Sequence, residues 1–197
     1  DYFSYKSSIP NRDIIKVKKK IYTSHRVEPL KVELWKDKKN AHEKDLIIFM
    51  PGLGGDIKNF RWIGIELSKR GWPFLFIDHK GSNSKAILEV LKGSNTIPSS
   101  ADFFLYRIKD LDAVIKAHNN GQLGLENNSY ILMGHSLGAL IAFLYEGNLP
   151  KEHFGKRCNL ALKDFALTNL SKLLQCQLSE IPFPEKNNAY KASAIIG

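Results

Sequence analysis

A strand that runs straight into Gly134-His135-Ser136-Leu137-Gly138 constrains this chain more than any other feature. The apolar run Tyr130-Ile131-Leu132-Met133 precedes the pentapeptide, and Ala139-Leu140-Ile141-Ala142-Phe143-Leu144 supplies an apolar helix after it. Glycine-x-serine-x-glycine in that setting predicts a sharp turn from a strand end into a helix, with Ser136 at its tip. A serine held in a strained backbone leaves no room for side chains two residues to either side, and glycine removes them. The pattern makes Ser136 a candidate nucleophile. A helix-capping serine in a glycine-rich turn is the plainer alternative.

The segments before the turn alternate between strand and helix patterns. Leu30-Lys31-Val32-Glu33-Leu34-Trp35 alternates apolar and polar residues, which reads as a half-buried strand. Leu46–Met50 and Pro73–Ile77 are continuous apolar runs, as expected for strands covered on both faces of a parallel sheet. Phe60, Ile63, Gly64 and Leu67 mark one helical face closed by Gly71, and Phe104, Ile108, Leu111, Ile115 and His118 mark another. Ala86–Leu91 reads as a short helix within a Ser/Asn-rich loop, and 189–196 as the next strand. Alternating strands and helices predict a single α/β domain over 1–197, a doubly wound and mostly parallel sheet with right-handed crossovers. Residues 1–29 are polar and read as an arm or an incomplete edge strand.

Between the helix after Ser136 and that last strand, residues 148–188 are too long for a simple loop. Leucines at 160, 162, 167, 170, 173 and 174, punctuated by Pro150, Pro182 and Pro184, predict short amphipathic helices forming a cap, with ordinary packing helices as the alternative. Cys158 and Cys176 lie in this segment, outside any C-x-x-C spacing, so zinc is not expected. A disulfide and two buried thiols both remain open.

The net charge of +9 raises nucleic acid or an anionic membrane as partners. The lysines are scattered, however, with one dense cluster at Lys16, Lys18, Lys19 and Lys20, and aromatics do not interleave them. A solvated basic surface is the better reading, with no nucleic-acid partner. No apolar run approaches the ~20 residues of a membrane span. The chain begins at Asp1 with no charged-then-apolar leader, which reads as a fragment or a processed product.

Acyl hydrolysis needs a nucleophile, a base, a group to orient the base and donors for the oxyanion. With Ser136 as nucleophile, the donors expected are the backbone N–H groups of Leu137 and of Leu53, in the turn Pro51-Gly52-Leu53-Gly54-Gly55-Asp56. A tight strand-to-helix connection without a catalytic task is the alternative for that turn. Its glycines match neither a dinucleotide fingerprint nor a phosphate loop, and no cofactor or metal is expected. The base is the missing part. His153 alone lies downstream of Ser136, and it sits too close to the end of the preceding helix. His135 belongs to the turn and is expected to point away, while His79 is expected to line the pocket in the wrong chain order for a base. His25, His42 and His118 read as surface or helix-face residues, and Asp164 and Glu180 as solvated charges.

Pro51-Gly52-Leu53-Gly54-Gly55, Phe60-Arg61, Ile63-Gly64-Ile65-Glu66-Leu67, the tripeptide Asp78-His79-Lys80 and Leu132–Gly138 together resemble the α/β-hydrolase superfamily. The branch they resemble holds dienelactone-hydrolase-like proteins and platelet-activating-factor acetylhydrolases. Leu167–Leu178 is similar to cyanobacterial hydrolases of that branch. The resemblance spans about residues 46–197 and implies ester or thioester hydrolysis without a cofactor, Ser136 as nucleophile, and the Leu53 and Leu137 amides as oxyanion donors. Pro51 stands where the family usually has histidine, and the family's acid and histidine would lie beyond Ile196.

The expectation is therefore a carboxylesterase or lipase-like core cut at both ends, acting on small-molecule esters, lipid-like ones among them, in lipid metabolism, and inactive as this piece. The alternative is a non-catalytic module of the same fold that holds an apolar ligand.

Overall fold

Leu46–Met50 is the strand around which the molecule is built. Every one of its five side chains is buried, and it pairs in parallel with a strand on each side. The computed structural model describes residues 13–39, 44–94, 100–126, 129–145, 155–156, 158–160, 176 and 190–196. In chain order the elements are β1 (Ile14–Ile21), β2 (Leu30–Asp37), β3 (Leu46–Met50), α1 (Ile57–Lys69), β4 (Phe74–Asp78), α2 (Ser84–Leu91), α3 (Ser100–Asn119), β5 (Tyr130–His135), α4 (Leu137–Tyr145) and β6 (Tyr190–Ile196).

The strands form one sheet in the order β1-β2-β4-β3-β5-β6. From β4 to β6 the pairs are parallel, while β1 and β2 run antiparallel to their neighbours. Alternate residues of each strand face opposite sides, which sorts the core into two layers. Leu46, Ile48, Met50, Leu75 and Ile77 meet α3 and α4 through Phe104, Ile108, Leu111, Ile141 and Leu144. Ile47, Phe49, Phe74 and Phe76 meet Phe60, Ile63 and Leu67 of α1. The expected doubly wound, mostly parallel architecture is the one observed.

Residues 14–21 are more regular than their polarity suggested. β1 is an eight-residue strand paired with β2 along its whole length, from Ile14 opposite Asp37 to Ile21 opposite Leu30. Val17 and Ile21 join the α3-side core, and Lys16 and Lys18 reach Glu33 on the opposite face at 3.8 and 3.7 Å. Two further lysines stitch these strands to the loop after α3, with Lys19 Nζ donating to Gln122 O and Lys36 Nζ to Gly124 O.

Chain order determines where a site can form. From β3 the chain passes to β4 on one side, then returns across β3 to β5 on the other. Crevices open at such reversals, beyond the carboxyl ends of the strands. Met50, the last residue of β3, stands opposite Gly134 of β5. That register brings the turn at 51–56 and the turn at Ser136 to the same sheet edge.

Of the segment 148–188, residues 155–156 and 158–160 are helical and Cys158 is joined to Cys176 by a disulfide, which decides between the two cysteine readings. Most of the expected cap, with His153, Asp164 and Glu180, lies outside the described residues, as does His42.

Candidate active site

Ser136 has φ = +52° and is the only non-glycine residue with positive φ among the described residues. A side chain in that region is disfavoured, and it persists where surrounding contacts hold it. The contacts here are backbone. A Cβ on Gly134 would lie 2.3 Å from the carbonyl of Gly138, and one on Gly138 would lie 1.9 Å from Met50 O. Both glycines are required because β3, β5 and the start of α4 touch at this corner. Leu140 N donates to Ser136 O at 3.1 Å as α4 begins, and the Ser136 side chain stands exposed.

The glycine turn packs directly on this serine. A Cβ on Gly52 would sit 3.0 Å from Ser136 Cβ and 3.2 Å from His135 Nδ1. The turn is held by its own bonds, with Gly55 N donating to Gly52 O at 3.1 Å and Gly54 N to Ser82 O at 2.9 Å. Asp56 caps α1 by accepting from Lys58 N, and it also accepts from Ser84 Oγ at the start of α2. Neither the Leu53 nor the Leu137 amide enters a turn or loop hydrogen bond among the described residues. The structure thus brings Ser136, Leu53 and Leu137 into one corner, with two unused N–H groups on two chain segments.

One turn of α3 supports that corner. Arg107 is 1 % exposed and donates from Nη1 to Pro51 O at 2.5 Å, from Nη2 to Gly52 O at 3.1 Å and from Nε to Ser82 Oγ at 2.9 Å. Asp110, one turn on and fully buried, accepts from His25 Nε2 and Arg26 Nε on Oδ1, and from Arg26 Nη2 and His79 Nδ1 on Oδ2. Four donors saturate the four lone-pair directions of a carboxylate. Burial by itself would raise the Asp110 pKa, but the hydrogen bonds from His79 and Arg26 bring it down to about 2. Burial and the neighbouring Arg107 charge lower His79 to about 4, so it is neutral at pH 7 and carries its proton on Nδ1 toward Asp110. Burial lowers Arg107 to about 10, which leaves it charged at neutral pH.

Residues 41–156, well over half the chain, match the family described as serine aminopeptidase, S33. The chain belongs to that family of α/β-hydrolases. No curated protein matches the sequence. Among solved structures, a ferulic acid esterase from Streptomyces cinnamoneus is similar with a TM-score of 0.55 and 16% identity, over 71% of this chain and 56% of the esterase. A protein assigned as a dienelactone hydrolase from Klebsiella pneumoniae is similar with a TM-score of 0.52 and 17% identity, over 70% of this chain and 56% of that one. At such identities the likeness is one of fold, and this hydrolase-family chain spans little more than half the length of either neighbour.

None of the described histidines hydrogen-bonds Ser136 Oγ. His79 does not line a pocket as expected. It is 1 % exposed, because the loop after β4 turns it inward onto Asp110. His118 is also buried, on the sheet-facing side of α3, with Nε2 against Ser129 O at 3.3 Å. His25 is committed to Asp110, and the His135 ring lies against Phe60 at 5.4 Å between centroids. Ser136 Oγ has no hydrogen-bond partner among the described residues. A cleft of about 880 Å³ opens between residues 25–28, the Lys80–Asn83 turn and α2 and reaches Arg107, but Ser136, Gly52 and Leu53 do not line it.

Arg107 and Asp110 were not singled out from sequence, although a signal was present. Phe104, Ile108, Leu111, Val114, Ile115 and Ala117 define the buried face of α3, and positions 107 and 110 fall within its width. Charges on a buried stripe mark a polar network rather than a solvated face.

Proposed function

We propose that this chain carries the nucleophile of a serine hydrolase acting on carboxylic esters. In this reading Ser136 Oγ attacks the acyl carbonyl, and the Leu53 and Leu137 amides accept the negative charge that develops on its oxygen. The alcohol leaves, and water then releases the acyl group from Ser136. The observation that carries the reading is the positive φ of Ser136, a disfavoured conformation kept at the carboxyl edge of the sheet where the chain order reverses, with Gly52 packed against it. The proton from Oγ goes to a histidine outside the described residues, since the described ones are buried, paired or packed on Phe60. No cofactor is invoked, because each step is served by a side chain, a backbone N–H or water.

The family's name is that of a peptidase, which makes an amide substrate the competing reading. Exposed Leu53 beside the serine, and Ile87 of α2 against the Gly54 backbone, give the corner an apolar margin that favours an acyl ester over a charged amino terminus.

The test is fluorophosphonate labelling of the protein expressed from its complete reading frame, alongside Ser136→Ala. Labelling is expected in the parent and absent in the variant, with p-nitrophenyl acyl esters hydrolysed faster than aminoacyl anilides. Equal labelling of both proteins removes Ser136 as nucleophile. A folded parent that binds apolar ligands yet never labels is the binding module instead.

A further inference from the structure

We propose that Arg107 is a positioning residue that locks the Gly52–Leu53 peptide in the orientation an oxyanion donor needs. The inference rests on the reading of Ser136 above and assigns a task to a side chain that the reading leaves idle.

A guanidinium buried without a carboxylate of its own needs a reason. Taking its charge out of water is costly, and a leucine or methionine would fill the same place on α3 without that cost. Asp110 is close by, but its four acceptor directions are occupied by His25, His79 and Arg26. The Arg107 donors go instead to neutral oxygens on two separate loops, Pro51 O and Gly52 O on one, Ser82 Oγ and Ser82 O on the other. Only a planar fork with several N–H groups can gather acceptors arranged in this way.

The geometry of the peptide unit turns that grip into orientation. The Gly52–Leu53 bond is trans, as are all bonds among the described residues, so the Gly52 C=O and the Leu53 N–H point in opposite directions. With Gly52 O held by Arg107 Nη2 and by Gly55 N, each at 3.1 Å, the Leu53 N–H is directed away from the guanidinium. Turning the peptide over would break both bonds and leave a buried charge underserved. Glycine at 52 imposes no side-chain barrier to such a flip, so the barrier must come from outside the turn. Arg107 also ties the turn to the loop that receives Gly54 N at Ser82 O, which restrains the far side of Leu53.

The experiment uses Arg107→Lys and Arg107→Met in the protein from its complete reading frame, with ester kinetics, fluorophosphonate labelling and crystallography of each. Lysine keeps the charge and stem and guards against a methionine variant that fails to fold. Expected for Arg107→Lys is a kcat lower by about 100-fold, the scale of losing one oxyanion donor, with KM changed less than about twofold. Added guanidinium should restore part of the rate in Arg107→Met, which a purely structural role would not allow. The Gly52–Leu53 peptide should be inverted or present in two orientations in at least one variant. A single unaltered peptide, or a kcat within about twofold of the parent in both folded variants, overturns the proposal. If the parent is not labelled at Ser136, the reading of the site has failed separately, and the peptide orientation still decides whether Arg107 sets it.

Discussion

Gly52 lies against Ser136 so closely that a methyl group on the glycine would stand 3.0 Å from the serine Cβ. The two residues are 84 positions apart and meet because β3 and β5 are parallel neighbours ending level, with Met50 opposite Gly134. The turn after one strand and the turn after the other are therefore a single structural unit.

Gly52→Ala tests that unit. The new Cβ would also approach His135 Nδ1 at 3.2 Å and His135 O at 3.3 Å, so the turn must shift by a few tenths of an ångström. The rate of fluorophosphonate labelling should fall by about 10- to 100-fold, the usual cost of a small misplacement at a reacting centre. The thermal midpoint should move little. An unchanged labelling rate would show that the two turns are not coupled.

His79 makes stability depend on pH in a definite window. Its pKa is about 4 in the folded protein against an ordinary 6.5, so between these values the unfolded chain binds a proton that the folded one excludes. Stability present above pH 6.5 is lost as pH falls toward 4, by about 3 kcal/mol. Asp110, held near 2 against an ordinary 3.8, extends the loss below pH 4. Burial lowers the pKa of His118 as well and adds in the same direction. Urea midpoints measured from pH 4 to 7 should rise with pH, and His79→Gln should flatten that rise. Equal slopes in parent and variant would remove His79 as its source.

The disulfide between Cys158 and Cys176 closes a loop with a sequence separation of 18. Cross-linking a loop of that length restrains the unfolded chain by about 3 kcal/mol. Thermal unfolding with and without a reducing agent should show the reduced protein melting lower, and Cys158→Ser should reproduce the reduced midpoint without further response to reductant. A parent midpoint insensitive to reduction would contradict this.

Much of the scaffold was legible in residues 30–145. Leu46–Met50 and Phe74–Ile77 are buried runs, and the α1 and α3 stripes repeat at helical spacing, patterns that depend on local geometry. The same holds for Gly134 and Gly138, whose absent side chains announce a corner before any neighbour is known. β1 was harder, because Lys16, Lys18 and Lys20 read as solvent-facing until Glu33 and the core supply partners on its two faces.

The sequence alone determined the strand–turn–helix at Ser136, the glycine turn at Leu53 and the order of elements that makes an α/β sheet, because periodicity and local sterics act over a few residues. Tertiary structure decided the rest. It chose the disulfide at Cys158, turned His79 inward to Asp110, and delivered Arg107 to carbonyl groups 55 and 56 positions earlier in the chain. Hydrogen bonds between such distant groups carry no period and no spacing. They exist only once the sheet register has brought its loops to one edge.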